Sequence, residues 1–136
     1  SLPAGRESIE QETNVHLREC DKELLNRGIK FFPVTLGPMR KLTSRGITLR
    51  RTLESKHFKV IEVYPGGAQD ILKIPRKQQG LRRLKTGLEE NGIKGLNDQM
   101  KDHELDAITC ALVAKLFLEE KTITYGTRKQ AIVMPR

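Results

Sequence analysis

An α/β fold is what this sequence predicts, on three observations. Phe58–Tyr64 is apolar nearly throughout and rich in β-branched and aromatic residues, as a strand covered on both faces is. The stretches around it carry apolar residues at helical spacing. A last helix, starting at Asp102, is apolar on almost every side, which suits a helix packed between layers.

Taken in order, Ser1–Arg6 reads as a loop leaving an element that precedes it. Ile9, Val15, Leu17, Cys20, Leu24 and Leu25 predict a helix from Glu7 to Arg27 that Gly28 caps and Phe31-Phe32-Pro33 breaks off. After Gly37-Pro38 a second helix carries Met39, Leu42, Ile47, Leu49 and Leu53, weakened in its middle by Gly46. Pro65-Gly66-Gly67 should stop the Phe58–Tyr64 strand, with short helical turns around Ala68 to Leu72. A helix over Gly80–Asn91 points Leu81, Leu84 and Leu88 inward and ends at Gly92, and the long helix runs from Asp102 to Glu119. Thr122–Tyr125 and Ala131–Met134 complete the set as short strands.

At 136 residues the chain is expected to form a single domain over 1–136, thinly buried, since only 37% of it is hydrophobic and 31% charged. Its net charge of +8 favours polyanion partners, and the arrangement strengthens that reading. Between Glu23 and Glu54 there is no acid, while Arg27, Lys30, Arg40, Lys41, Arg45, Arg50 and Arg51 lie there. A second acid-free run holds Lys73, Arg76, Lys77, Arg82, Arg83 and Lys85. Arg40, Lys41, Arg76, Lys77, Arg82 and Arg83 are the candidate nucleic-acid contacts. Cys20 and Cys110 lack zinc-site spacing and are expected as buried free thiols. Without an apolar run of about 18 residues or a signal pattern, no membrane association is expected and a cytoplasmic location is.

Chemistry concentrates at the start of the last helix. Asp102, His103 and Asp106 share one helix face, because they differ by three and four. Carboxylates with a histidine suit Mg²⁺ or Mn²⁺; the same acids also suit an N-cap at Asp102 and the helix dipole, so both readings stay open. Glu62 sits mid-strand, where a buried acid needs a cation or an arginine. Asp70 could approach the same strand end, where open α/β sheets place ligands. His16 and His57 have no partner at catalytic spacing, and phosphate-loop, dinucleotide and nucleophile motifs are absent.

Four segments, Cys20-Asp21-Lys22-Glu23-Leu24 through Arg27-Gly28-Ile29, Gly37-Pro38-Met39-Arg40-Lys41-Leu42, Val60-Ile61-Glu62-Val63-Tyr64-Pro65 and His103-Glu104-Leu105-Asp106-Ala107, resemble the family called domain of unknown function 429. Its members are described as predicted nucleases of the ribonuclease H-like fold. The resemblance implies a mixed sheet with flanking helices and acids converging on two Mg²⁺ or Mn²⁺ ions. On it, Asp106 is the ligand from the C-terminal helix, His103 its neighbour and Glu62 a further catalytic acid; Asp102, from the shared helix face alone, is a further candidate metal ligand. The His-x-x-Asp-Ala pattern is also similar to that helix in Holliday-junction resolvases of the RuvC type. Two acidic strands of the family pattern, a Gly-Ile-Asp type and an Ile-Asp-Ala-Pro type, are missing from the sequence. The expectation is therefore an incomplete ribonuclease H-like domain, its C-terminal portion with the first strands absent and inactive by itself. It should either self-associate or be covered by an N-terminal segment. The rival expectation is a non-catalytic module that binds nucleic acid or another protein.

Overall fold

The computed structural model of the chain describes residues 18–29, 37–127 and 131–136. The stretch from Ser1 through the first part of the helix expected from Glu7, with His16, Lys30 and the Phe31-Phe32-Pro33 break, lies outside the described residues. Among the described residues the class is α/β, with five helices and one two-stranded antiparallel sheet. The helices are α1 (Glu19–Asn26), α2 (Gly37–Ser55), α3 (Pro65–Ile71), α4 (Leu81–Glu90) and α5 (Asp102–Leu118); the strands are β1 (Thr122–Tyr125) and β2 (Ile132–Pro135).

All five helices close in the same way. The second residue past each helix turns left-handed, at Gly28, His57, Lys73, Gly92 and Glu120, with φ between 57° and 91°. Its amide, and that of the residue after it, bond back to carbonyls of the last turn, as in Gly28 to Leu25 at 2.9 Å and Ile29 to Leu24 at 3.0 Å. This Schellman geometry satisfies carbonyls that the helix leaves without donors. Gly28 and Gly92 adopt it without a Cβ penalty, whereas His57, Lys73 and Glu120 hold a conformation that costs an L-residue about 1 kcal/mol.

The long apolar segment before α3 differs from its expectation. Phe58–Tyr64 forms no strand: its pairing is one isolated parallel bridge, Val63 to Val133, supported by the Val133 amide donating to the Glu62 carbonyl at 2.8 Å. A strand needs a ladder, and among the described residues this segment meets β2 at that one point. Val63 is buried there while Phe58 is 60% exposed. Pro65 does not merely stop the segment; it opens α3 as its first residue, where a missing N–H costs nothing. β2 runs Ile132–Pro135, one residue later than expected, and pairs with β1. The Arg136 amide to the Lys121 carbonyl, 3.0 Å, sets their register.

Two helices bury different faces from those expected. On α2, Thr43, Gly46 and Ile47 are buried, whereas Leu42 and Leu49 are about half exposed. Met39, Thr43, Ile47, Arg50 and Leu53 keep the helical repeat, and Leu42 and Leu49 fall outside it. Thr43 fits a buried face because its hydroxyl donates to the Met39 carbonyl at 2.6 Å. α5 is not enclosed on every side: Leu105, Thr109, Leu112 and Val113 are buried, but Ala107, Ala111 and Leu118 are exposed, Leu118 by 82%.

The chain divides into two compact units, Ser1–Val63 with Thr124–Val133, and Tyr64–Ile123 with Met134–Arg136. In the first, Cys20, Leu24, Ile29, Ile47, Val63, Ile132 and Val133 are buried, and the Gly126 amide donates to the Glu23 carboxylate at 2.7 Å. In the second, α3 and α4 pack on α5. Its core is Ile74, Leu84, Leu88, Leu105 and Leu112, with Leu72, Ile93, Leu96, Met100, Ile108 and Leu116 against it. Burying each fully enclosed leucine of this set contributes about 1.5–3 kcal/mol. Leu81, expected inward, stays 37% exposed. Gly87 lets α4 approach Ile74 and Pro75 closely, since a Cβ there would stand 2.7 Å from Ile74 Cγ2.

Candidate functional site

The start of α5 carries the three residues singled out for metal binding, and each has a different fate. The N-cap is Lys101, not Asp102, and the carboxylate of Glu104 accepts the Lys101 amide at 2.7 Å. Asp102 is instead drawn to Lys77 Nζ at 3.0 Å, and this bond holds its carboxyl below the usual range. His103 is exposed. Asp106 stands beyond the first turn, where neither capping nor the helix dipole accounts for an acid.

A buried amide orients Asp106. Gln69 on α3 is 2% exposed, and its Nε2 donates to Asp106 Oδ1 at 3.1 Å and to Thr109 Oγ1 at 3.0 Å. Thr109, wholly buried one turn along α5, passes its own hydrogen to the Leu105 carbonyl at 2.9 Å. Both Gln69 amide hydrogens and the threonine hydroxyl are thus committed, and Asp106 Oδ2 has no hydrogen-bond partner among the described residues. His103 precedes it by one helical turn, so the two lie along one face.

Glu62 belongs to the other unit and to a different constellation. Its carboxylate meets Arg18 Nη1, with Oε1 at 2.7 Å and Oε2 at 3.0 Å. The same guanidinium donates to Asp21, from Nη2 at 2.9 Å and Nε at 3.1 Å. Asp21 also accepts the Arg18 backbone amide at 2.9 Å, which starts α1. All three residues are at most 4% exposed. One buried cation therefore faces two buried carboxylates. Burial pushes the Glu62 carboxyl up to about 7 against the opposing pull of Arg18, and burial likewise carries the Cys20 thiol up to about 12 against Arg18, with Asp21 and Glu62 adding to the rise. Arg18 itself loses by burial but gains more from Glu62 and Asp21, and it stays charged.

The basic candidates separate by partner. Arg40 and Lys41 lie exposed on α2 in the first unit. In the second, Arg76 grips the Asp70 carboxylate, with Nε at 2.8 Å, and covers the Tyr64 ring 5.5 Å from its centre. That pairing accounts for Asp70, which serves the Arg76 fork. Lys77 is taken by Asp102, and the largely buried Lys85 by Asp98 at 3.1 Å. Arg82 and Arg83 are exposed and have no ionic partner among the described residues.

Among the described residues no group of three or more His, Cys, Asp and Glu side chains converges as a metal site. Both cysteines are free, Cys20 buried and Cys110 half-buried. None of the described helices is long and apolar enough to cross a membrane. Compared with family models, curated proteins and solved structures, the chain matches none.

Two functional-looking residues escaped the sequence reading. Arg18 is one of 25 lysines and arginines, and only its spacing of three from Asp21 marks it. Gln69 carries no local signal, since its role comes from packing α3 on α5.

Proposed function

We propose that this chain is part of a metal-dependent nuclease of the ribonuclease H-like fold, with Asp106 as the carboxylate ligand from the C-terminal helix and His103 beside it. The observation that carries the reading is the buried Gln69–Thr109 pair. Gln69 gives one hydrogen bond to a carboxylate that capping does not need and is itself held by a second to Thr109, as supporting groups around metal ligands are. The position of β2, antiparallel to β1 and bridged in parallel to Val63, is in keeping with a mixed sheet. Asp106 and His103 are donors suited to Mn²⁺ or Mg²⁺, which when bound would neutralise charge on a phosphodiester. Two ligands are too few for a two-metal centre, so binding is weak and further carboxylates are required for cleavage. Glu62, in the other unit with both oxygens facing Arg18, is given no part in this corner.

A second reading, a non-catalytic module, is favoured by the way the chain's own cations neutralise Asp102 and Glu62. Titration with Mn²⁺ separates the two. Paramagnetic broadening of amide signals around His103 and Asp106 that disappears in Asp106→Asn supports the metal site; broadening indifferent to that substitution, or none, removes it.

A further inference from the structure

The cations of the second acid-free run are not equivalent. Three of the six, Arg76, Lys77 and Lys85, are bound to Asp70, Asp102 and Asp98. The remaining three, Lys73, Arg82 and Arg83, line one groove of about 360 Å³ between the Lys73–Pro75 turn and α4. Pro75, Thr86 and Gly87 also line it, and Glu90 is its one acid. All three cations are exposed and have no carboxylate partner among the described residues. Like charges gathered with too few counter-charges, here three cations against Glu90, destabilise a fold and are relieved by an anionic ligand. A groove of this size holds a phosphate with part of its sugar. Two adjacent arginines supply planar, forked donors matched to phosphate oxygens, and a lysine supplies a point charge opposite them.

We propose that this groove is the nucleic-acid backbone site of the chain, holding phosphodiester groups through Lys73, Arg82 and Arg83, while Arg76 and Lys77 are structural. The inference rests on the nucleic-acid reading but not on the metal corner, because backbone contacts by lysine and arginine need no divalent ion. Its test is therefore run in EDTA, where failure of the groove and failure of the Asp106 site are distinguishable.

The probe is a fluorescent single-stranded oligonucleotide of about 12 nucleotides, as DNA and as RNA, with a polyglutamate peptide of equal charge as the rival polyanion. Three phosphate contacts predict an affinity that falls roughly 20-fold between about 50 and 200 mM salt. Replacing Lys73, Arg82 and Arg83 together by Gln should lower the logarithmic salt slope by about 2 and weaken binding at the lower salt at least about 10-fold. Replacing Arg82 and Arg83 by Lys should keep most of the slope. Glu90→Gln should tighten binding, and the charge-neutral pair Arg76→Gln with Asp70→Asn should leave the slope unchanged. Circular dichroism checks that each variant is folded. The proposal is overturned if the triple Gln variant binds like the wild type, if the charge-neutral pair loses as much slope, or if polyglutamate binds as tightly as the oligonucleotide.

Discussion

Replacing Glu62 by Gln tests the charge count of the buried Arg18 cluster. Above pH 7 the folded chain holds one guanidinium against two carboxylates, all nearly without solvent. The Glu62 carboxyl is raised from 4.5 to about 7, so the folded state binds its proton more tightly than the unfolded chain does. Below about 4.5 both states are protonated and the contribution to stability is complete. Between 4.5 and about 7 only the folded state keeps the proton, and stability falls as pH rises; above 7 the loss is complete. At 1.36 kcal/mol per pH unit that interval amounts to about 3 kcal/mol. Gln keeps the volume and can still accept from Arg18 through its carbonyl, but it cannot titrate. Its added amide donor costs about 1–3 kcal/mol if it finds no partner, a cost independent of pH. Urea unfolding of both proteins near pH 4 and pH 8 gives the stability difference at each, and groups common to both cancel. That difference should move by about 3 kcal/mol in favour of Gln at the higher pH. Arg18→Met should do the opposite, costing about 3–5 kcal/mol near pH 8, where it strands two buried charges, and less near pH 4. An equal stability difference for Glu62→Gln at both pH values would refute the charge count.

Two further substitutions probe backbone and packing. Gly87→Ala removes a glycine from a helix, a gain of about 1 kcal/mol by propensity, yet should destabilise by about 1–3 kcal/mol because the new Cβ would press on Ile74 and Pro75; a higher melting temperature would show that α4 can move away. Glu120→Gly should stabilise by about 0.5–1 kcal/mol, since the residue already sits at φ 58° in a helix-closing turn. A lower urea midpoint for that variant would contradict it.

The helices α2, α4 and α5, the closing glycines of α1 and α4 and the two short strands were legible in the sequence, because helical spacing, Gly28, Gly92 and β-branched runs act within a few residues of themselves; the start of α3 at Pro65 was not. Legible too were the run of cations around α4 and the acids opening α5. The fate of the apolar segment before α3 was not: its composition asks for a strand, but a strand exists only through a ladder, and here the ladder is a single bridge to Val133. Nor could spacing foretell that Leu42 and Leu49 would yield the buried face of α2 to Thr43, since a threonine can hide its hydroxyl on the preceding turn. Tertiary structure alone decided which charges were spent. It matched Asp102 with Lys77, Glu62 with Arg18 and Asp106 with Gln69, residues 25, 44 and 37 positions apart. Partners so distant carry no local signature, because only the packing of helices and loops brings a donor into hydrogen-bond reach of its acceptor.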